Sequence, residues 1–145
     1  MRVLLVYPNA FGVNLLPPAL GIFTALLREK GHTVDLFDGS EWDLTFADGQ
    51  LQKLSERKDF FHIAPLVVPP DIDDYKEEPR KTDVFSEFIM KIASFQPDLI
   101  AMGGVEDSHE LMMKLLDSIV NIDIPVLVGG MFPTLAPEIY LAHPK

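Results

Sequence analysis

The chain has no cysteine among its 145 residues. Disulfides, thiolate nucleophiles and cysteine-held zinc or iron–sulfur clusters are therefore excluded within it. Basic residues are sparse, with twelve Lys and Arg against twenty-two Asp and Glu, a net charge of −10. Nucleic-acid binding draws its affinity from clustered cations, so a phosphate backbone is not expected as a partner. No apolar run approaches the roughly 18 residues that cross a bilayer. Met1-Arg2 leads straight into a strand-like segment, with no secretory signal before it. These absences predict a cytoplasmic protein without a membrane partner. What the chain does have is 48% hydrophobic residues, enough at this length for one core and a single domain over residues 1–145.

Periodicity gives the elements. Val3-Leu4-Leu5-Val6-Tyr7 is a continuous apolar run closed by Pro8-Asn9, the pattern of a central strand buried on both faces. From Pro17 to Lys30 the residues Leu20, Phe23, Leu26 and Leu27 recur at helical spacing, with proline in the first turn and Gly31 placed to end the helix. Thr33 to Phe37 alternates and reads as a strand near an edge. Thr82 is placed to cap a helix carrying Phe85, Phe88, Ile89 and Ile92, which Gln96-Pro97-Asp98 ends. Leu99 to Met102 is a third strand that breaks at Gly103-Gly104. Asp107 and Glu110 have capping-box spacing before a helix of Met112, Leu115, Leu116 and Ile119. Ile124 to Val128 is a fourth strand that stops in Gly129-Gly130, and Thr134 is placed to cap a last short helix with Leu135, Ile139 and Leu141.

Repeated βα units with right-handed crossovers predict an α/β, flavodoxin-like doubly wound parallel sheet in the order 2-1-3-4, with helices on both faces. Residues 39–81 form an irregular excursion, with Trp42, Leu44 and Phe46 in a short helical piece and Phe61 to Val68 of strand-like composition. Asp71, Asp73, Asp74, Glu77 and Glu78 lack the glycine and terminal glutamate of a calcium loop and read as a solvated acidic stretch. Such folds usually carry a fifth strand. Its absence predicts that the sequence is the front end of a longer protein, and that the excursion, or a second copy paired along the fourth strand, covers that edge.

Ligands in open parallel sheets bind at the carboxyl rim. Three loops meet there: Pro8 to Pro18, Gly103 to Asp107, and Gly129 to Thr134. They hold only two ionisable residues, Glu106 and Asp107, and no Lys or Arg. Acid–base chemistry needs a paired His or carboxyl in a pocket, so the rim is predicted to bind and not to react. Neither G-x-G-x-x-G nor G-x-x-x-x-G-K-[ST] occurs, which leaves phosphate cradles unsupported. Paired glycines are most simply tight turns, yet they also leave bare backbone against which a large, flat, partly apolar ligand can lie. His109 near the third-strand rim, with His32, His62 and His143, reads as surface or structural. Met102, Met112 and Met113 read as packing residues.

Four segments carry a family resemblance: Pro17-Pro18-Ala19-Leu20-Gly21-Ile22, Gly31 to Asp38, Pro97 to Met102, and above all Val128-Gly129-Gly130-Met131-Phe132-Pro133-Thr134-Leu135-Ala136-Pro137-Glu138. Together they resemble the N-terminal cobalamin-binding domain of cobalamin-dependent radical S-adenosylmethionine enzymes, a family that includes methyltransferases and anaerobic magnesium-protoporphyrin ester cyclases. The resemblance covers nearly all of the chain outside residues 39–81. It implies that Gly129 and Gly130 lie against the nucleotide tail or corrin edge and that Met131, Phe132, Pro133 and Thr134 shape the pocket. It also implies that Asn9, Ala10 and Phe11 and the loop Gly103, Gly104, Val105 and Glu106 contact the corrin and its amides.

The implied function is to hold a corrinoid for methyl transfer or radical chemistry done by a C-terminal radical domain with its own S-adenosylmethionine and 4Fe-4S cluster. This chain has no catalytic residue in that scheme and no C-x-x-x-C-x-x-C site. Two departures stand out. The loop Tyr7-Pro8-Asn9-Ala10-Phe11-Gly12 lacks the histidine of D-x-H-x-x-G, so no cobalt ligand is expected from it, and Gly103 stands where the family often has serine. The alternatives are a cobalamin-free interaction or substrate-binding module on the same fold and the N-terminal half of a nucleotide-sugar glycosyltransferase. A receiver domain is a poor fit, because the acidic residues it needs after the first and third strands are replaced by Asn9 and Gly103.

Overall fold

The computed structural model describes residues 1–9, 16–42 and 80–145. Residues 10–15 and 43–79 lie outside it, and with them the expectations for Ala10, Phe11, Leu44, Phe46, Phe61 to Val68 and the acidic stretch. Four strands, β1 (Arg2–Tyr7), β2 (Thr33–Asp38), β3 (Leu99–Gly103) and β4 (Val126–Gly129), form one parallel sheet in the order β2-β1-β3-β4. The fold is therefore the flavodoxin-like α/β arrangement that the alternation predicts. The helices are α1 (Pro18–Glu29), α2 (Val84–Phe95), α3 (His109–Ser118), α4 (Met131–Leu135) and α5 (Pro137–Leu141).

Period-two geometry sends alternate residues of each strand to opposite faces. Leu4 and Val6 of β1, with Ile100 and Met102 of β3, point to the face covered by α2 and α3. There they join Phe88, Ile92, Leu111, Met112, Leu115 and Ile119, which are almost fully enclosed. Val3 and Leu5 point the other way and meet Leu20 and Leu27 of α1 over β1 and β2. That helix is the only described element on its face, and it leaves the β3–β4 half of the sheet uncovered.

Helix ends follow local chemistry. After α1, the Gly31 amide bonds to the Arg28 carbonyl at 3.0 Å and the His32 amide to the Leu27 carbonyl at 3.0 Å. This paired closure needs the positive φ of Gly31, 81°, so the predicted glycine stop holds. The start of α2 differs from expectation. Asp83, not Thr82, is the cap, accepting from the Ser86 amide at 2.9 Å. Thr82 instead accepts from the indole N–H of Trp42 at 3.1 Å, holding that ring stacked on Phe37 in the core.

In the turn before α3 the Ser108 hydroxyl accepts from the Val105 amide at 3.1 Å and donates to the Val105 carbonyl at 3.0 Å, so it closes the turn and does not cap an amide of α3. Nor does Thr134 cap a helix. It lies inside α4, where its hydroxyl donates to the Gly130 carbonyl at 2.7 Å, one turn back.

Candidate functional site

Beside α1, along the uncovered β3–β4 face, runs a trough of about 1080 Å³. Its floor is made by the alternate residues that α1 does not reach: Leu99, Ala101 and Gly103 of β3, and Leu127 and Gly129 of β4. Leu20, Phe23 and Leu27 of α1 form one wall, and the rim residues Asn9, Gly104, Val105, Gly130 and Met131 close the upper end. No Lys, Arg, Asp or Glu lines it among the described residues.

The polar side chains in the trough are Tyr7, Asn9 and Ser108, with Met102, Pro8 and Leu111 between them near the rim. Asn9 is buried. Its backbone is approached so closely by Gly39 that a Cβ there would lie 2.6 Å from the Asn9 carbonyl oxygen. Gly39 thus fixes where the first rim loop leaves the sheet, a role signalled only by the Asp38-Gly39 pair that closes β2. Tyr7 is paired across the sheet with Asp38. Burial first, and then the Asp38 charge, push its phenol above the ordinary tyrosine range, so it stays a neutral hydrogen-bonding group.

The four rim glycines separate into two kinds. Gly130 has φ 105°, and a Cβ on it would sit 2.3 Å from the Gly104 carbonyl oxygen. A Cβ on Gly104 would in turn meet the Met112 sulfur and the Ser108 hydroxyl at 2.3 and 2.5 Å. These two glycines let the third- and fourth-strand loops and α3 pack together. Gly103 and Gly129 are different. They are register partners in adjacent strands; among the described residues a Cβ on Gly129 would have nothing within 4 Å, and one on Gly103 would meet only the Gly129 carbonyl oxygen, at 3.9 Å. Packing among the described residues explains the first pair and not the second.

The other predicted site residues scatter. Val105 and Met131 are exposed and line the trough, whereas Glu106 lies in the turn before α3 with its side chain in solvent. Phe132 and Pro133 turn to the opposite face. There Phe132 packs edge-on to His109 at 4.9 Å and to Tyr140 at 6.3 Å, and Pro133 is buried. His109 is not a rim group. Its Nδ1 lies 2.9 Å from the Tyr140 hydroxyl within this aromatic cluster, where burial raises the Tyr140 phenol. His143 is anchored too, with its Nε2 3.0 Å from Asp117.

Residues that the sequence reading missed are Tyr7, Ser108 and the α1 wall. The available signal for the wall was a complete lack of charge from Pro8 to Leu27. Among the described residues no three His, Asp or Glu side chains gather to hold a metal ion, and no helix is long and apolar enough to cross a membrane. Comparison of the chain with known protein families, with curated proteins and with solved structures found no match.

Proposed function

We propose that this chain is a corrinoid-binding domain of the kind it resembles, acting in the cytoplasm with a radical S-adenosylmethionine partner domain that carries the catalytic groups. The observation that carries the reading is the Gly103–Gly129 pair, a flat patch of bare backbone opening on an apolar trough, with no packing reason among the described residues to lack side chains. Glycine weakens a strand interior, and two side by side in adjacent strands suit a site that another backbone or a ligand approaches closely.

The residues present suit the group. Gly103 and Gly129 would take the corrin edge or nucleotide tail against backbone. Asn9, Tyr7 and Ser108 would hydrogen-bond its amides or tail, and Val105 and Met131 would shield it from water. When bound, the corrinoid supplies cobalt-centred group transfer. No histidine is among the described lining residues, so none would offer the cobalt an imidazole. A nucleotide-sugar is a poorer occupant, since its diphosphate calls for cations or a phosphate-binding glycine motif, and the described lining holds no Lys or Arg while the sequence has neither motif.

Titration with hydroxocobalamin and methylcobalamin, read by the visible spectrum and by co-elution in gel filtration, tests this. Retention by the wild type and loss in Gly129→Val supports it. Failure to co-elute at micromolar protein overturns it. A second reading, an interaction module without cobalamin, is favoured by one observation: the trough continues past the rim to Val3 and Leu99 at the far end of the sheet, further than a rim ligand requires.

A further inference from the structure

Three loops line the upper end of the trough, and a fourth bears on it without lining it. The fourth is the turn Gly39–Glu41, which follows β2, and the last residue of β2, Asp38, is the register partner of Tyr7. Past that pair the two segments run on together, and Gly39 is buried against the backbone of the first rim loop. A Cβ on Gly39 would lie 2.6 Å from the Asn9 carbonyl oxygen, 3.0 Å from the Asn9 nitrogen and 3.2 Å from the Tyr7 carbonyl oxygen. All three are backbone atoms, which cannot swing aside as the end of a side chain can. Gly39 does not have a positive φ, so its conformation would accept an alanine and only the space refuses one.

The turn is itself held firmly. The Asp38 carboxylate accepts from the Ser40 amide at 3.0 Å and from the Ser40 hydroxyl at 2.6 Å, and the Trp42 amide donates to the Gly39 carbonyl at 3.2 Å. The Trp42 ring is buried, stacked on Phe37 and bonded to Thr82, so the turn is tied to the core beneath α2. We propose that Gly39 is a positioning residue of the trough, which sets Asn9 in place to hydrogen-bond the bound corrinoid and touches no ligand itself. For its ligand this role rests on the corrinoid reading.

Asn9 is the residue through which such a contact acts. It is buried and lines the trough, and its side-chain amide carries both donors and an acceptor, which suits the carboxamides of a corrinoid. Hydrogen bonds tolerate little displacement. Ordinary contact begins at 3.4 Å, so a methyl placed 2.6 Å from the Asn9 carbonyl oxygen calls for a shift of about 0.8 Å, the difference between the two. With the turn tied down by Trp42, the rim loop is the part that yields. A shift of that size takes a hydrogen bond of about 2.9 Å to about 3.7 Å, where it no longer counts as one. The contact lies inside the fold, so it stands whatever else covers the trough.

Hydroxocobalamin titrations of the wild type, Gly39→Ala, Asn9→Ala and the double variant, read by the visible spectrum, test this. Each single substitution is expected to weaken binding about fivefold, as the loss of one hydrogen bond does. The double variant is expected to bind about as well as Asn9→Ala, because the side chain through which Gly39 acts is already gone. A glycine needed only for packing would lower the urea midpoint and leave the affinity of the folded protein unchanged, or add its own loss to that of Asn9→Ala. Either result overturns the proposal. If Gly39→Ala does not fold, Asp38→Ala takes its place in the cycle. It loosens the turn without adding an atom, and is expected to cause a smaller loss that again vanishes beside Asn9→Ala; a loss that persists there overturns the proposal too. A wild type that binds no hydroxocobalamin refutes the corrinoid reading and this role with it, whereas a wild type that binds it, with Gly39→Ala binding equally well, refutes this role alone.

Discussion

The two faces of this sheet are built to different standards. On the α2–α3 face, sixteen buried side chains form one continuous cluster among the described residues, and on the α1 face only Val3, Leu5 and Val34 reach that degree of enclosure. The same strands feed both, because their side chains alternate. The difference lies in the helices: among the described residues α2, α3 and the short α4 and α5 all lie on one side, and α1 stands alone on the other. The closed face supplies the stability that holds the sheet flat and its rim in place. The α1 face leaves apolar surface exposed among the described residues, and surface of this extent marks a place where something binds.

The sharpest way to break the comparison is to remove one side chain from each face. Phe88 is fully enclosed between α2 and the sheet, tilted against Phe37 at 5.0 Å. Phe88→Ala is expected to cost about 3–5 kcal/mol in urea unfolding, the price of lost transfer energy and a cavity that the helices cannot close. Leu127→Ala, measured at protein concentrations low enough to exclude association, is expected to cost no more than about 0.5 kcal/mol. Equal costs would mean that the β3–β4 face is already covered within a single chain, which would remove the basis for the proposed corrinoid site.

A finer contrast lies within the rim. Gly130→Ala forces a side chain into a positive-φ residue pressed on Gly104, and is expected to destabilise by about 3 kcal/mol. Gly129→Ala, one residue earlier, places its methyl in open space and is expected to change stability by less than about 0.5 kcal/mol. Its effect belongs on the ligand instead, with cobalamin affinity falling at least about tenfold, or 1.4 kcal/mol. A Gly129→Ala protein that binds cobalamin normally would show that nothing touches this patch.

This contrast also shows where the sequence stops being readable. Strand order, the buried character of β1 and the glycine stop after α1 follow from periodicity and local hydrogen bonding, and these are properties of neighbouring residues. Gly129 and Gly130 look identical in sequence, because a missing side chain does not say whether it makes room for backbone or for a ligand. What separates them is the approach of Gly104 to Gly130, 26 residues away in the chain. Thr82 and Asp83 are both good caps, and the choice was made by Trp42, 40 residues from Thr82, which takes the threonine hydroxyl. Phe132 was expected in the pocket. Its direction depends on α4 turning towards His109 and Tyr140, which no local pattern encodes. The trough itself depends on which face each later helix takes.

The two long helices also differ in how they begin, and this gives the smallest effect. Helices α1 and α2 are both twelve residues long, but α1 starts from Pro17 with no side-chain cap, while α2 starts from Asp83. The Ser86 hydroxyl and then the Ser86 amide hold the Asp83 carboxyl below the ordinary aspartate range, against a smaller opposing push from burial. A carboxyl with a lower pKa folded than unfolded stabilises the fold above the unfolded value, about 3.9, and loses that contribution as pH falls through the folded one. Asp83→Ala is therefore expected to lower stability by about 1 kcal/mol at neutral pH and to match the wild type near pH 2, whereas Asp83→Asn keeps a cap that does not titrate. Urea midpoints for the three proteins across that range check the sign. A deficit in Asp83→Ala that persists unchanged in acid would mean that Asp83 acts through packing and not through its charge, and that the closed face has no titrating cap to set it apart from α1.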